Sequence, residues 1–249
     1  VLSPLWSTKP AAARKIRQRL GLVLDYAKGH RWRDTGAPRD SLRSLLAKQA
    51  EGGNFASMPY EDVPQFMSVL MAKKPSVGRI ALEFAILTAA RGGEVRSALW
   101  SHIDLEKREW KRPAALMKNK KAHTVTLSDD AIAVLRKVEK YRTTLKDCLV
   151  FPGSGGRQMS DMTLATHVRD TGYTVHGFRS SFRTWAAERM PAVPEAVAES
   201  ALSHTIPDQV IRAYNRAKFL EMRRFLLDSW GRFAASRPGE VVQLPLKLT

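Results

Sequence analysis

The stretch from Arg79 to Thr88, Arg-Ile-Ala-Leu-Glu-Phe-Ala-Ile-Leu-Thr, is apolar on nearly every face of a helix. A helix with one apolar stripe can lie on a surface, but one that is apolar all round must be enclosed by other elements. The chain is therefore expected to wrap helices around this segment. How the segment ends is just as informative. Arg91 follows it within three residues, in Thr88-Ala89-Ala90-Arg91-Gly92-Gly93-Glu94-Val95. A guanidinium beside a core must reach water, a carboxylate or a bound anion. Gly92 and Gly93 allow backbone to come close to a ligand, and Glu94, three residues on, is an alternative ion-pair partner.

Other elements are readable on both sides. Gly52-Gly53-Asn54 marks a loop, and Tyr60-Glu61-Asp62-Val63-Pro64 opens a helix, which puts a boundary near residues 50–58. Ahead of it, Thr8 is suited to cap a helix with Pro10 in its first turn, and Ile16, Leu20, Val23 and Ala27 follow at helical spacing. Downstream, residues 109–112 and 123–127 are strand-like, and the lysine-rich turn from Met117 to Ala122 joins them. Ser128 is placed to cap a helix carrying Ile132, Leu135 and Val138. Residues 151–156 form a Pro/Gly loop, and helices are expected near 160–170, 177–190, 195–202 and 207–216. A last helix carries Phe219, Met222, Leu226, Trp230 and Phe233, spaced as a core stripe that packs on its own domain or docks into a neighbouring protomer. The fold class is mainly α with a small antiparallel β-sheet (α+β). The divisions are a helical segment over 1–55, a main domain over 56–235 and a tail over 236–249.

Charge narrows the choice of partner. The 249 residues hold 41 Lys and Arg against 24 Asp and Glu, a net charge of +17. An excess of that size points to a polyanion, nucleic acid first and anionic membrane second. The excess is concentrated: residues 1–50 hold 11 Lys and Arg against 3 Asp. There Arg14, Lys15, Arg17 and Arg19 form either a solvated basic face or a helix laid along a phosphate backbone. A membrane partner is not expected, since no apolar run has the length of a span and no amphipathic segment has a broad apolar face. The N-terminus lacks the layout of a secretion signal, and the lone Cys148 allows no intrachain disulfide. Both fit a reducing cytoplasm, with Cys148 as a small core hydrophobe. Residue 1 is Val and not Met, which suits a fragment or a trimmed chain.

Further candidates for chemistry lie beyond Arg91. Lys118 stands on the first half of the turn Met117-Lys118-Asn119-Lys120-Lys121, where Lys120 and Lys121 compete with it for any role. In His176-Gly177-Phe178-Arg179, a helix beginning at Gly177 or Phe178 turns His176 and Arg179 the same way near an N-terminus that favours anions. Phe178, Phe182 and Trp185 fall on another stripe and anchor that helix, while Arg183 extends its polar face. His204, in Leu202-Ser203-His204, sits in a turn ahead of Pro207. Tyr214 follows ten residues later with Val210 and Ile211 at helical spacing before it, as a core ring or as something more. Tyr26, Tyr60, Tyr141 and Tyr173 are alternatives, but none follows a histidine so closely.

Read in order from about Tyr60 to Trp230, these pieces resemble the tyrosine recombinases. That family pairs an arginine in T-x-x-R-x-x-E with a lysine on a β-hairpin, H-x-x-R, L-x-H and a later tyrosine. Here the counterparts are Thr88 to Glu94, Met117 to Lys121, His176 to Arg179, Leu202-Ser203-His204 and Tyr214. The run from Thr174 to Ala186 is similar to integrases of temperate and satellite phages and genomic islands, and residues 1–50 to the later part of their core-DNA-binding domain. The resemblance implies a catalytic domain with a partial core-binding domain and no arm-site domain. One small departure is Ser203, where the pattern more usually has glycine.

The resemblance also implies a chemistry: site-specific cleavage and rejoining of double-stranded DNA through a 3′-phosphotyrosyl bond. Tyr214 attacks phosphorus, Arg91 and Arg179 stabilise the charged oxygens, and His204 gives a further hydrogen bond. His176 assists the proton of Tyr214 or orients the phosphate. Lys118 protonates the leaving 5′-oxygen, with Lys120 as runner-up, and Glu94 supports Arg91. It implies self-association on DNA as a synaptic tetramer, with accessory DNA-bending or directionality factors, and no cofactor. Two other functions fit the same residues, a catalytically silent integrase-derived DNA-binding protein and a type IB topoisomerase-like relaxase.

Overall fold

A computed structural model of the chain describes residues 2–49, 55–117, 120–145, 147–204 and 216–236. It divides into two compact units, Val1–Asn54 and Phe55–Thr249.

In the first unit α1 (Ser3–Thr8) leads into α2 (Pro10–Gly29), and α3 (Arg39–Leu45) follows. Trp6 is its anchor. The indole is buried, its N–H donates to the Ala47 carbonyl at 2.7 Å, and Gln49 Nε2 donates to the Trp6 carbonyl at 2.7 Å. Asp25 accepts from the Ala37 N–H at 2.9 Å and pairs with Arg39, tying α2 to the start of α3. Two expectations fail here. Thr8 does not cap α2: it ends α1, its hydroxyl donates back to the Pro4 carbonyl at 2.7 Å, and Lys9 takes the cap position. The stripe through Ile16, Leu20, Val23 and Ala27 is not the buried face either, because Leu20 and Val23 are exposed. The buried positions are Ala13 and Gly21, small residues that a pattern of large apolar side chains passes over; at Gly21 the room is taken by the side chains of Arg39 and Ala37.

The second unit is built around α5 (Val77–Thr88). Ser76 caps it by accepting from the Arg79 N–H, and residues 80–88 are all buried. The enclosure expected from an all-apolar helix is supplied by α4 (Val63–Ala72), α7 (Asp129–Val138), α8 (Asp161–Ala165) and α11 (Arg216–Ala235). Each fully buried Leu, Ile or Phe contributes roughly 1.5–3 kcal/mol. Glu83, the one acid of the buried stretch, accepts from Lys137 Nζ at 2.7 Å. Ser128 caps α7 as expected, accepting from the Ala131 N–H at 3.2 Å.

Strands β1 (Ile103–Asp104), β2 (Glu109–Arg112) and β3 (His123–Thr126) form an antiparallel sheet in that order, with Trp110 opposite Val125 and Arg112 opposite His123. The domain is thus mainly α with a small antiparallel sheet. Helix α11 clasps the sheet: Arg223 Nη1 donates to the Thr124 carbonyl at 3.0 Å and Arg224 Nη2 to that of Lys107 at 3.1 Å. Farther along α11, Trp230 packs against Phe182 and Trp185, and its indole N–H donates to the Ile86 carbonyl at 2.8 Å. Gly231 makes that crossing possible, since a Cβ there would stand 2.5 Å from Ser128 Oγ.

The single helix expected near 160–170 is instead α8, a turn, and one 3-10 turn at Arg169–Thr171 closed by left-handed Gly172. Hydroxyls of Thr166 and Thr171 donate to the Met162 and Val168 carbonyls at 2.9 and 2.7 Å, local bonds that compete with helix. Helices α9 (Gly177–Arg189) and α10 (Glu195–Ala201) fall where the sequence places them. The helix expected near 207–216 lies almost wholly outside the described residues. Among the described residues, no helix is long and apolar enough to cross a membrane.

Candidate active site

Helix α5 stops at Ala89, which takes a left-handed conformation (φ 49°) and donates its N–H to the Ile86 carbonyl at 3.2 Å. That reversal sets Arg91 as the N-cap of α6 (Gly92–Arg96), with Glu94 at its third position. Glu94 accepts from the Arg91 backbone N–H at 3.0 Å and from Arg91 Nη1 at 2.9 Å. Buried Arg112, from β2, brings Nη2 to 2.5 Å from the same carboxylate oxygen. Burial pushes the Glu94 carboxyl up, but the charges and hydrogen bonds of Arg112 and Arg91 outweigh it, and the pKa is lowered. Glu94 is therefore ionised, and it holds Arg91 with about a third of that side chain, 32%, open to solvent.

Arg179 reaches the same place from α9. Its residue surface is 4% exposed. Nη1 donates to the Ala89 carbonyl at 2.5 Å, and Nη2 donates to the Leu202 carbonyl at 2.7 Å and lies 3.1 Å from His204 Nε2. Its Nε is buried with no hydrogen-bond partner. Burial first, then the positive charge of Arg91, brings its pKa down to about 10. A guanidinium buried beside another positive charge favours an anionic partner.

His176 is the residue before α9 and has helical backbone angles. Its ring packs on Phe55, centroids 4.5 Å apart. Its pKa is lowered, by burial first and then by Arg179, Arg91 and His204. The segment carrying Phe55 is held against the helix start: Thr174 donates its N–H to the Ala56 carbonyl at 3.0 Å, and a Cβ on Gly177 would lie 2.2 Å from that oxygen. Glycine at 177 is thus a packing requirement.

His204 follows Ser203, whose φ of 56° turns the chain at the end of α10. One ring nitrogen, Nε2, faces Arg179. The other, Nδ1, is 2.6 Å from Glu199 Oε2. Glu199 also accepts from Arg183 Nε, and Arg183 Nη2 donates to Glu195 at 2.6 Å. Burial raises the Glu199 pKa, but bonds from Arg183 and His204 prevail and it is lowered.

Arg91, His176, Arg179 and His204 thus come together from three places in the chain. Lys118 and Tyr214 lie outside the described residues. Lys120 and Lys121 belong to the second half of the turn, Lys120 with φ 56° and its N–H donating to the Met117 carbonyl at 3.0 Å. Arg14, Lys15, Arg17 and Arg19 belong to the first unit, where Arg14 donates to Gln49 at 3.1 Å and Arg17 lies over the Trp6 ring. Of the alternative tyrosines, Tyr60 is buried and donates to Glu188 at 2.9 Å. Among the described residues, no group of three or more His, Cys, Asp or Glu side chains could hold a metal ion.

The sequence did not single out Glu199, Arg112, Phe55 or His123. His123, beside Arg223 and Arg112, has its pKa brought down to about 3 by burial first and then by those charges. Each is near the site only through folding. Glu199 alone left a local signal, an acid five residues before His204 at the end of a helix.

Comparison with known proteins identifies the family. Residues 57–221 match the family described as the phage integrase family. The prophage integrase IntA of Escherichia coli (strain K12) is 31% identical over 224 residues, which cover 87% of this chain and 53% of that protein. The integrase of Enterobacteria phage P4 is 27% identical over 260 residues, 96% of this chain and 58% of that one. The chain thus spans little more than half the length of these relatives. In fold it is similar to a lambda integrase dimer bound to a COC′ core site (TM-score 0.57, 17% identity, 80% of this chain and 74% of that one). It is similar also to a lambda integrase tetramer bound to a Holliday junction (TM-score 0.59, 16% identity, 87% and 64%).

Proposed function

This chain belongs to the phage integrase family, and on that footing we propose that it carries the strand-cleaving and rejoining site of a site-specific DNA recombinase. The observation that carries the reading is the pairing of Arg91 with Arg179. A buried guanidinium anchored to two carbonyls has its proton affinity lowered by a partly exposed one anchored to Glu94, both lower that of His176, and His204 lies against the buried one. Such a cluster suits the nonbridging oxygens of a phosphodiester, whose charge grows in the transition state. Arginine is the suitable residue, since its planar fork stays charged and offers donors in fixed directions.

In this reading Tyr214 forms the new bond to phosphorus and the 5′-oxygen departs with a proton from Lys118. Rejoining reverses both transfers, so the phosphodiester energy is kept and no nucleotide is consumed. A phenol with a pKa near 10 needs help to lose its proton. His176, held largely neutral by burial and neighbouring arginines, is suited to accept it or to orient the phosphate. His204 gives a hydrogen bond to a nonbridging oxygen. The first unit, with its basic α2, is part of a core-DNA-binding region, and Arg183, Lys120 and Lys121 lie where phosphate contacts are expected. The partner is double-stranded DNA in the cytoplasm of a bacterial or phage-infected cell, with assembly of further copies on it, as the dimer and tetramer of lambda integrase suggest by analogy.

The experiment is a covalent trap. A nicked duplex that loses a short fragment on cleavage is mixed with the protein, and a denaturant-resistant complex is sought and its modified residue mapped by mass. The expected adduct is on Tyr214, and Tyr214→Phe binds the DNA without forming one. An adduct that survives that substitution moves the nucleophile elsewhere, and a wild-type protein that forms none on any integrase core site removes the reading.

A further inference from the structure

We propose that Glu199 is a positioning residue for His204: it fixes the ring with its proton on Nδ1 and stabilises the doubly protonated form that gives a hydrogen bond to the phosphate. The inference rests on the reading that His204 meets the scissile phosphate. Arg179 Nη2 is always a donor, and it lies 3.1 Å from His204 Nε2. Two donors cannot share that contact, so Nε2 carries a lone pair toward Arg179 and the ring proton is on Nδ1. There it meets Glu199 Oε2 at 2.6 Å, the short separation of a charge-assisted bond.

A phosphate oxygen entering the pocket changes what Nε2 must do, because it needs a donor. Moving the one ring proton from Nδ1 to Nε2 would set a bare nitrogen lone pair against an ionised carboxylate. Taking a second proton from solvent instead leaves Nδ1–H on Glu199 and puts Nε2–H on the phosphate. The acid therefore selects the imidazolium, as an acid behind a catalytic histidine does in other phosphate- and acyl-transfer sites. Glu199 is itself kept in place: Arg183 donates to it through Nε and to Glu195 through Nη2, bracing α10 against α9. Among the described residues, the charged and titratable groups set against His204 are Arg179 from α9, His176 ahead of it, and Glu199 from α10, with Arg183 behind Glu199. Only Glu199 is negative.

Two measurements on the full chain test this. The first uses no DNA. Long-range proton–nitrogen correlation spectra are expected to show neutral wild-type His204 protonated on Nδ1 with the downfield proton of a short hydrogen bond, and E199A to lose that downfield shift while Arg179 still keeps the proton off Nε2. A wild-type ring protonated on Nε2 overturns the proposal whatever the protein does to DNA. The second is the rate of covalent trapping through the neutral and mildly alkaline range. E199Q keeps the shape but not the charge, and its rate should fall off at lower pH than that of the wild type. E199A should be slower by about 10- to 100-fold with DNA affinity unchanged. Wild-type rates and an unmoved pH profile in both variants overturn the proposal. A wild type that traps nothing overturns the recombinase reading instead, and the spectra still decide the role of Glu199.

Discussion

Arg179 donates Nη1 to the carbonyl of Ala89 at 2.5 Å, and Ala89 is the left-handed residue two positions ahead of Arg91. One turn of backbone thus registers both guanidiniums, one as the residue it leads into and the other through the oxygen it presents. Any substitution that loosens the turn is felt by both.

Arg179→Lys is expected to lose about 100- to 1000-fold in trapping rate. An ammonium is a single point of charge and cannot reproduce the planar fork that spans the carbonyls of Ala89 and Leu202. Single-turnover trapping, with a gel-shift titration alongside, separates this loss from DNA binding, which should persist.

An inorganic oxyanion should stabilise the free protein at low ionic strength. Burial and Arg91 depress the Arg179 pKa, so an anion in the pocket relieves a cost built into the folded state. At a free concentration of 100 times its dissociation constant the gain is about 2.7 kcal/mol. Thermal melts with phosphate or vanadate should show it, and Arg91→Ala or Arg179→Ala should abolish it while leaving any general salt effect intact.

Removing Glu94 should cost stability as well as activity. Glu94→Ala strands buried Arg112 without its carboxylate, a change expected to cost about 3–5 kcal/mol. The lowered pKa of Glu94 gives the pH dependence. Its folded-state value lies below the unfolded one, so its contribution is fully present above the ordinary carboxyl value of 4.5 and is lost as pH falls through the depressed value. Urea titrations at descending pH should show a steeper acid loss for wild type than for Glu94→Gln.

Ser203 holds φ at 56°, a conformation that costs a side-chain-bearing residue about 1–2 kcal/mol. Ser203→Gly removes that strain and adds unfolded-state entropy, for a net gain of about 0.5–1 kcal/mol. The melting temperature should rise by about 2 °C, with trapping no slower than wild type. A lower melting temperature would show that the Ser203 side chain does more than tolerate its turn.

Phe55→Ala should bring the His176 pKa back toward 6.5. Its depression comes first from burial, and the Phe55 ring is the aromatic surface against it. With the folded value below the unfolded 6.5, wild-type stability should decline as pH falls from 6.5 and level off below the folded value. Histidine proton shifts followed through a pH titration measure both the wild-type and the variant value.

What the sequence reveals of this site is what lies along the chain. Arg91 and Glu94 are three apart and pair as spacing predicts. His176 and Arg179 flank a helix start, and Phe178, Phe182 and Trp185 point into the core on another stripe. The partners that hold them come from elsewhere: Arg112 is 18 residues from Glu94 across a strand, Arg183 and Glu199 meet between two helices, and Phe55 lies 121 residues before His176. No periodicity encodes such meetings. In α2 the failure is of another kind, because the packed face is written in Ala13 and Gly21, whose value is the space they leave.

The carbonyl oxygen of Ile86 accepts twice, from the Ala89 N–H and from the Trp230 indole. The last described helix is therefore riveted to the turn on which Arg91 stands. One oxygen thus joins the indole of that helix to the backbone turn that leads into Arg91, so the two ends of the fold share a hinge point.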